Sequence, residues 1–472
     1  MRRTMVVAGG VVLGVGLLAG PAAAQEAELT LESVQANIDI IFLMMAAALV
    51  LLMHPGFALL ESGLGRAKNS AHIIMKNLMT LTLGVVSYYA VGFALMYGTQ
   101  VGGFIGTDGF FLQGLASYEP VTGGSLSADF LFQAMFAATA ATIISGACAE
   151  RMKFGPYIVV ILVVTAVIYP IVGAWKWGGG WLAELGFLDF AGSTIVHMTG
   201  GIAAFMGAAI LGPRLGKFAA DGTPRALLGH SIPLAMLGVL LLFFGWFGFN
   251  GGSVLIADGP VVASVLLATV LAGAIGGVAA ALMTRVRYGK YDVAMTGNGI
   301  LAGLVGVTAG ADVLDNLGAL GVGLAAGILV TLVVPLVDRI RVDDPVGAVA
   351  VHGACGALGT VWVGLAHSTE GLLYGGGAGL LGVQAIGVAS VAAFVAATSG
   401  LVFFGLKATV GIRVTETEEI EGLDLHEHGS YGYPELALGT QAYPAGPRFG
   451  EGAAPAPAAA GTAVQAQAIL QQ

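Results

Sequence analysis

Apolar runs long enough to cross a bilayer follow one another along this sequence, and no other feature constrains the fold as much. They lie at about 37–60, 71–98, 128–148, 154–175, 190–212, 229–249, 260–284, 292–310, 316–337, 345–366 and 379–406. About 20 apolar residues in a helix span a hydrocarbon core ~30 Å thick, and only helices or closed barrels leave no backbone group unpaired in lipid. Eleven such runs predict an all-α polytopic membrane protein with eleven transmembrane helices. Only 10% of the residues are charged, against about 25% in a soluble domain. Glycine accounts for 75 of the 472 residues, about twice its usual share, and small residues let membrane helices approach closely.

The loops orient these helices. Residues 1–24 read as a cleavable signal peptide: Arg2 and Arg3, an apolar stretch from Met5 to Leu18, then Ala22-Ala23-Ala24 as an A-x-A cleavage site. A retained first helix is the alternative. Of the 17 Lys and Arg residues after Ala24, all but Lys176 lie toward one side of the alternating spans if the mature N-terminus is outside. The positive-inside rule then puts the mature N-terminus outside and the C-terminus in the cytoplasm, which requires an odd number of spans. The expected divisions are the signal at 1–24, a transmembrane domain at 25–411, a cytosolic tail at 412–444, and an Ala/Pro/Gly/Gln-rich segment at 445–472 expected to be disordered.

Two stretches share one layout. Asp189 precedes His197 by eight residues, and Asp344 precedes His352 by eight, with small or apolar residues between. Eight helical residues advance ~12 Å, close to half the hydrocarbon thickness. If each Asp sits at the mouth of a membrane helix, each His lies near the midplane, where an ionisable side chain is a functional-site hypothesis by default. With the loop orientation, one stretch enters from outside and the other from inside. That is the mark of an inverted 5+5 repeat, with one extra helix beyond it and the site at the midplane. Capping of free helix N–H groups is the plainer role for both aspartates. Cys355 follows His352 by three residues, but no third or fourth metal ligand accompanies them, so no metal and no other cofactor is expected.

Aromatics gather at the outer ends of the expected spans: Phe132, Phe136, Trp177, Trp246 and Phe249, with Asn250 and Ser253 just beyond. A Trp face beside a hydroxyl suits a small cation, since the ring attracts the charge and the oxygen accepts a hydrogen bond. An interfacial aromatic belt is the alternative.

Together these residues resemble the Amt/Mep/Rh ammonium transporter family. The resemblance is carried by Asp189-Phe-Ala-Gly-Ser-x-x-Val-His197, Leu211-Gly-Pro-Arg214, Gly245-Trp-Phe-Gly-Phe-Asn-Gly-Gly-Ser253, Phe132-Gln-Ala-Met-Phe136, Ala149-Glu-Arg151, Trp177-Gly-Gly-Gly180 and Val342-Asp-Asp-Pro345 through to His352-Gly353. The tail Glu421-Gly-Leu-Asp, ending in His428-Gly, resembles the bacterial Amt branch. The resemblance implies that Phe136, Trp177 and Ser253 recruit external ammonium, that Phe136 and Phe249 gate the pore, and that His197 and His352 are its paired histidines. It implies a pore-lining Trp246 and a structural Asp189. It also implies a homotrimer in the bacterial inner membrane, regulated by a cytosolic PII protein. Glu61 receives no role from it.

The chemistry can be argued from the residues as well. A bare cation in a dry apolar pore costs tens of kcal/mol by Born estimate, and cation–π contact returns about 0.5–2 kcal/mol. Ammonium escapes this cost by shedding a proton. Two adjacent neutral imidazoles can relay that proton while NH₃ crosses. Electrogenic passage and neutral NH₃ conduction both fit these residues. The leading expectation is an ammonium transporter or channel, with methylammonium as an analogue. The alternative is an ammonium sensor signalling through PII, which a kinase or cyclase motif would favour. No enzyme motif such as H-E-x-x-H or G-x-S-x-G stands in the sequence, and nothing in it points to nucleic acid.

Overall fold

The computed structural model describes residues 30–120 and 125–434. The expected signal peptide and the segment after residue 434 lie outside the described residues. Among the described residues, ten helices are long and apolar enough to cross a membrane: α1 (Leu31–Leu64), α2 (Ala67–Tyr97), α3 (Leu126–Ala147), α4 (Phe154–Glu184), α5 (Ser193–Leu211), α6 (Ile232–Gly252), α7 (Gly259–Tyr288), α9 (Asn316–Arg339), α10 (Val349–Ala366) and α11 (Gly379–Thr409). Between α7 and α9, where an eighth span is expected, lies the shorter apolar helix α8 (Val293–Val307). Two short helices, α12 (Glu416–Glu421) and α13 (Leu423–His428), follow. A two-residue hairpin, β1 (Gln100–Val101) with β2 (Ile105–Gly106), caps the loop after α2.

Short polar side chains start the helices. Ser125 caps α3 and Ser231 caps α6, while Asp258, Asp292 and Asp315 cap α7, α8 and α9 by accepting from a backbone N–H in the first turn. Such caps satisfy donors that lipid cannot. The helices then pack through small residues. A Cβ on Gly303 would stand 2.1 Å from the Ala272 carbonyl oxygen, and one on Gly276 would stand 2.4 Å from the Gly299 carbonyl. Helices α7 and α8 therefore touch backbone to backbone, as membrane helices without a hydrophobic driving force tend to do. Large apolar side chains such as Leu267, Val278, Leu332, Leu401 and Phe404 remain exposed along α7, α9 and α11, a surface suited to lipid rather than water.

The centre is made by α5 and α10, which cross each other. Helix α5 also packs on α3 and α11, and α10 on α8 and α9. Helix α6 lies along α1 and α8. One end of the bundle carries a buried ionic cluster. Glu150 pairs with Arg66 and Arg214, and Arg214 grips Asp343 through Nε at 2.8 Å. Burial pushes the Asp343 carboxyl up, but the Arg214 hydrogen bond and the Arg151 and Arg214 charges outweigh it and hold the group at about 2. This end is the basic face. The tail docks there: Leu423 N–H donates to Asn69 Oδ1 (2.9 Å), His72 N–H to Asp424 Oδ1 (2.8 Å) and Leu215 N–H to Glu419 Oε1 (2.6 Å).

Candidate functional site: an aromatic mouth above two histidines

On the face opposite the basic one, a cavity of about 630 Å³ opens among α1, α3, α4 and α6. Phe136, Trp177 and Ser253 all line it. Trp177 closes the helical part of α4, where Gly178–Gly180 turns the chain, and its Nε1–H donates to the Asp189 carbonyl at 2.9 Å. That bond fixes the indole, whose ring meets Phe136 edge to face at 6.1 Å. Ser253 follows α6; its Oγ–H donates to the Phe249 carbonyl at 2.8 Å, which leaves the oxygen's lone pairs as acceptors. Polar residues not singled out from the sequence also line the mouth, among them Tyr118, Glu119, Asp129 and Gln133. Tyr118 donates its hydroxyl to Asp129 Oδ2 at 2.8 Å. Asp129 stands in the first turn of α3 and Gln133 inside the Phe132–Phe136 motif.

The cavity ends on two stacked rings. Phe136 and Phe249 lie 4.0 Å apart at their centroids with planes 20° from parallel, both buried. The next ring is His197, 5.2 Å from Phe249 and 5.2 Å from Trp246. His352 follows at 5.3 Å, and the two Nδ1 atoms are 3.3 Å apart. Phe57 closes the column 5.7 Å beyond His352. The expectation that all the aromatics share one depth does not hold. Helix α6 runs to Gly252, so Trp246 sits a turn deeper, beside His197, with its Nε1–H on Thr308 Oγ1 at 3.0 Å. Asn250 turns away from the mouth and donates to Thr269 Oγ1 at 2.9 Å.

Local sequence explains how the two histidines meet. The Asp189 carboxylate accepts four N–H groups: Oδ1 from Gly192 (3.0 Å) and Ser193 (2.8 Å), Oδ2 from Thr194 (2.9 Å) and Ile195 (2.9 Å). Asp344 repeats the device with Gly347 (3.1 Å) and Val349 (2.8 Å). Three residues after each Asp stands a glycine with positive φ, +110° at Gly192 and +82° at Gly347, a conformation that side chains resist. Both helices then begin as π-helical segments, Ser193–Met198 and Val349–Ala354, and each histidine lies inside one. π segments are rare and gather at functional sites. The crossing is tight, since a Cβ on Gly201 would lie 2.2 Å from the Gly353 nitrogen.

One hydrogen between the Nδ1 atoms makes one ring donor and the other acceptor, so two neutral rings must hold opposite tautomers. Cys355 points elsewhere, donating to the Ala326 carbonyl at 3.7 Å, and no group of three metal-binding side chains forms among the described residues.

Residues 41–433 match the model of the Ammonium Transporter Family. The chain belongs to this family. Ammonium transporter Amt2 of Archaeoglobus fulgidus is 43% identical over 87% of this chain and 91% of its own length. Ammonium transporter Amt1 of Haloferax mediterranei is 40% identical over 85% of this chain and 80% of its own. Among solved structures, one titled Sensor Amt Protein superposes with a TM-score of 0.80 at 38% identity, covering 84% of this chain and all of that one. Candida albicans Mep2 superposes at 0.76 with 30% identity, covering 85% and 91%. The family member described here is thus a multi-pass helical membrane protein whose curated relatives are named as transporters and not as enzymes.

Proposed function

We propose that the chain is an ammonium transporter that recruits NH₄⁺ at Phe136, Trp177 and Ser253, strips a proton there, and conducts NH₃ past the Phe136–Phe249 gate. The proton travels separately through His197 and His352 into the cytoplasm. The observation that carries this reading is the 3.3 Å Nδ1–Nδ1 contact directly beneath the stacked phenylalanines. The column from Phe249 to Phe57 is a succession of buried rings, so a bare ion would pay most of its desolvation cost there. Ammonia would not, and the rings offer the proton its own path. Asp189 and Asp344 hold the two half-helices in register and shape the site indirectly.

The proposal extends to the whole assembly. The signal at 1–24 is removed, eleven helices span the bacterial inner membrane with the N-terminus periplasmic, and the basic face is cytosolic. An inverted repeat relates α1–α5 to α6–α10, which the packing of α5 on α3 and of α10 on α8 supports. Three copies assemble, and a PII-type protein binds the cytosolic face beside the tail. A second reading, an ammonium sensor, is favoured by the likeness to the chain titled Sensor Amt Protein. Purified protein in liposomes on a solid-supported membrane separates the two: a transporter gives a sustained ammonium-driven current, and a sensor binds ammonium without one.

A further inference from the structure

Glu61 lies on α1 and is 1% exposed. Its Oε2 accepts from Ser145 Oγ at 2.6 Å and Asn77 Nδ2 at 3.1 Å, and Asn77 is held in turn by Thr142. Its Oε1 is buried and has no hydrogen-bond partner. A carboxylate oxygen left bare in a membrane interior is costly and marks a functional position. Glu61 also lines a small cavity of about 10 Å³ together with His352, Phe57 and Asn298. That is room for about one water-sized molecule, between the second histidine and the basic face.

We propose that Glu61 is the inner station of the proton path, receiving the proton that leaves His352 and handing it to ammonia on the cytosolic side. This rests on the proposed relay and adds its missing end. The His352 imidazolium gives a proton, through the single molecule held in the cavity, to Oε1, which becomes the O–H of a carboxylic acid. Ammonia that has passed the rings takes that proton, so NH₄⁺ forms and the carboxylate returns. The bonds of Ser145 and Asn77 to Oε2 keep Oε1 turned to the cavity throughout.

The competing explanation is charge balance. Lys76 Nζ donates to the Ser145 carbonyl at 2.8 Å, so its ammonium stands near the carboxylate. The test uses ammonium-driven currents of the full chain in proteoliposomes, with Glu61→Gln, Glu61→Asp and the neutral pair Glu61→Gln with Lys76→Gln. Glutamine keeps the shape but carries no exchangeable acid, so the current should fall at least about tenfold, while aspartate should retain part of it. The paired variant guards against misfolding from a stranded lysine and should be as impaired as Glu61→Gln. Wild-type current in either glutamine variant would overturn the proposal and leave Glu61 a structural counter-charge. If the wild-type protein carries ammonia with no current at all, the relay itself falls, which is a different result from a silent Glu61.

Discussion

A Trp ring and a serine oxygen hold a cation in different ways, and the difference is measurable. The indole of Trp177, fixed by its bond to the Asp189 carbonyl, attracts charge without regard to the number of N–H donors. The free lone pairs of Ser253, whose proton is committed to the Phe249 carbonyl, reward each donor. Losing a cation–π contact of about 0.5–2 kcal/mol should weaken recruitment roughly two- to thirtyfold. Trp177→Leu should therefore weaken ammonium and methylammonium together, whereas Ser253→Ala should narrow the preference for ammonium. Competition currents with the two cations check this, and unchanged apparent affinity in Trp177→Leu together with unchanged selectivity in Ser253→Ala would return these residues to a belt role. The residues of the mouth were legible because aromatics and a hydroxyl collected at the ends of apolar runs. Asp129 and Gln133 were not, because one polar side chain in a span has no spacing that announces which cavity it faces.

At the scale of helices, the twin histidines depend on how closely α5 and α10 cross. A Cβ on Gly201 would lie 2.2 Å from the Gly353 nitrogen, yet a Cβ on Gly353 would meet nothing closer than 3.5 Å. Gly201→Ala must push the helices apart, an overpacking cost of about 1–3 kcal/mol, and should separate the two rings. Gly353→Ala should be nearly neutral. Melting in detergent together with ammonium current would show this asymmetry, and equal behaviour of the two variants would contradict it. The repeated Asp–His spacing exposed these helices in the sequence, because eight residues set a depth whatever the packing. The π-helical starts stayed hidden, since six residues of wider hydrogen bonding leave no periodic trace. The glycines three residues after each Asp were visible in the sequence as part of the repeated layout, but only the fold supplies their positive φ.

For the whole molecule, basic residues of the loops also hold the tail. Arg151, fully buried, donates Nη2–H to the Asp343 carbonyl at 2.7 Å, and its own carbonyl accepts from Val414 N–H at 3.1 Å. The tail thus rests on the loops of the basic face. Truncation after Ile412 should lower ammonium current without preventing assembly, as flux and native mass measurements on the same preparation would report. Full current in the truncated protein would limit the tail to partner docking. Ten of the eleven expected spans were legible because each apolar run is long, whereas the run at 292–310 forms only the shorter helix α8. The union of loops far apart in the chain, such as Asn69 with Leu423, was not, because no local pattern encodes it. In the proposed mechanism His197 and His352 pass the proton while ammonia passes the rings. The most direct test is ammonium-driven and K⁺-driven current, recorded on the same proteoliposomes, for His197→Ala, His352→Ala and His197→Glu. Each alanine variant should lose ammonium current or admit K⁺ through a wetter lumen, and His197→Glu should keep ammonium current because a carboxylate still exchanges a proton. Wild-type ammonium current with unchanged selectivity in both alanine variants would contradict the account.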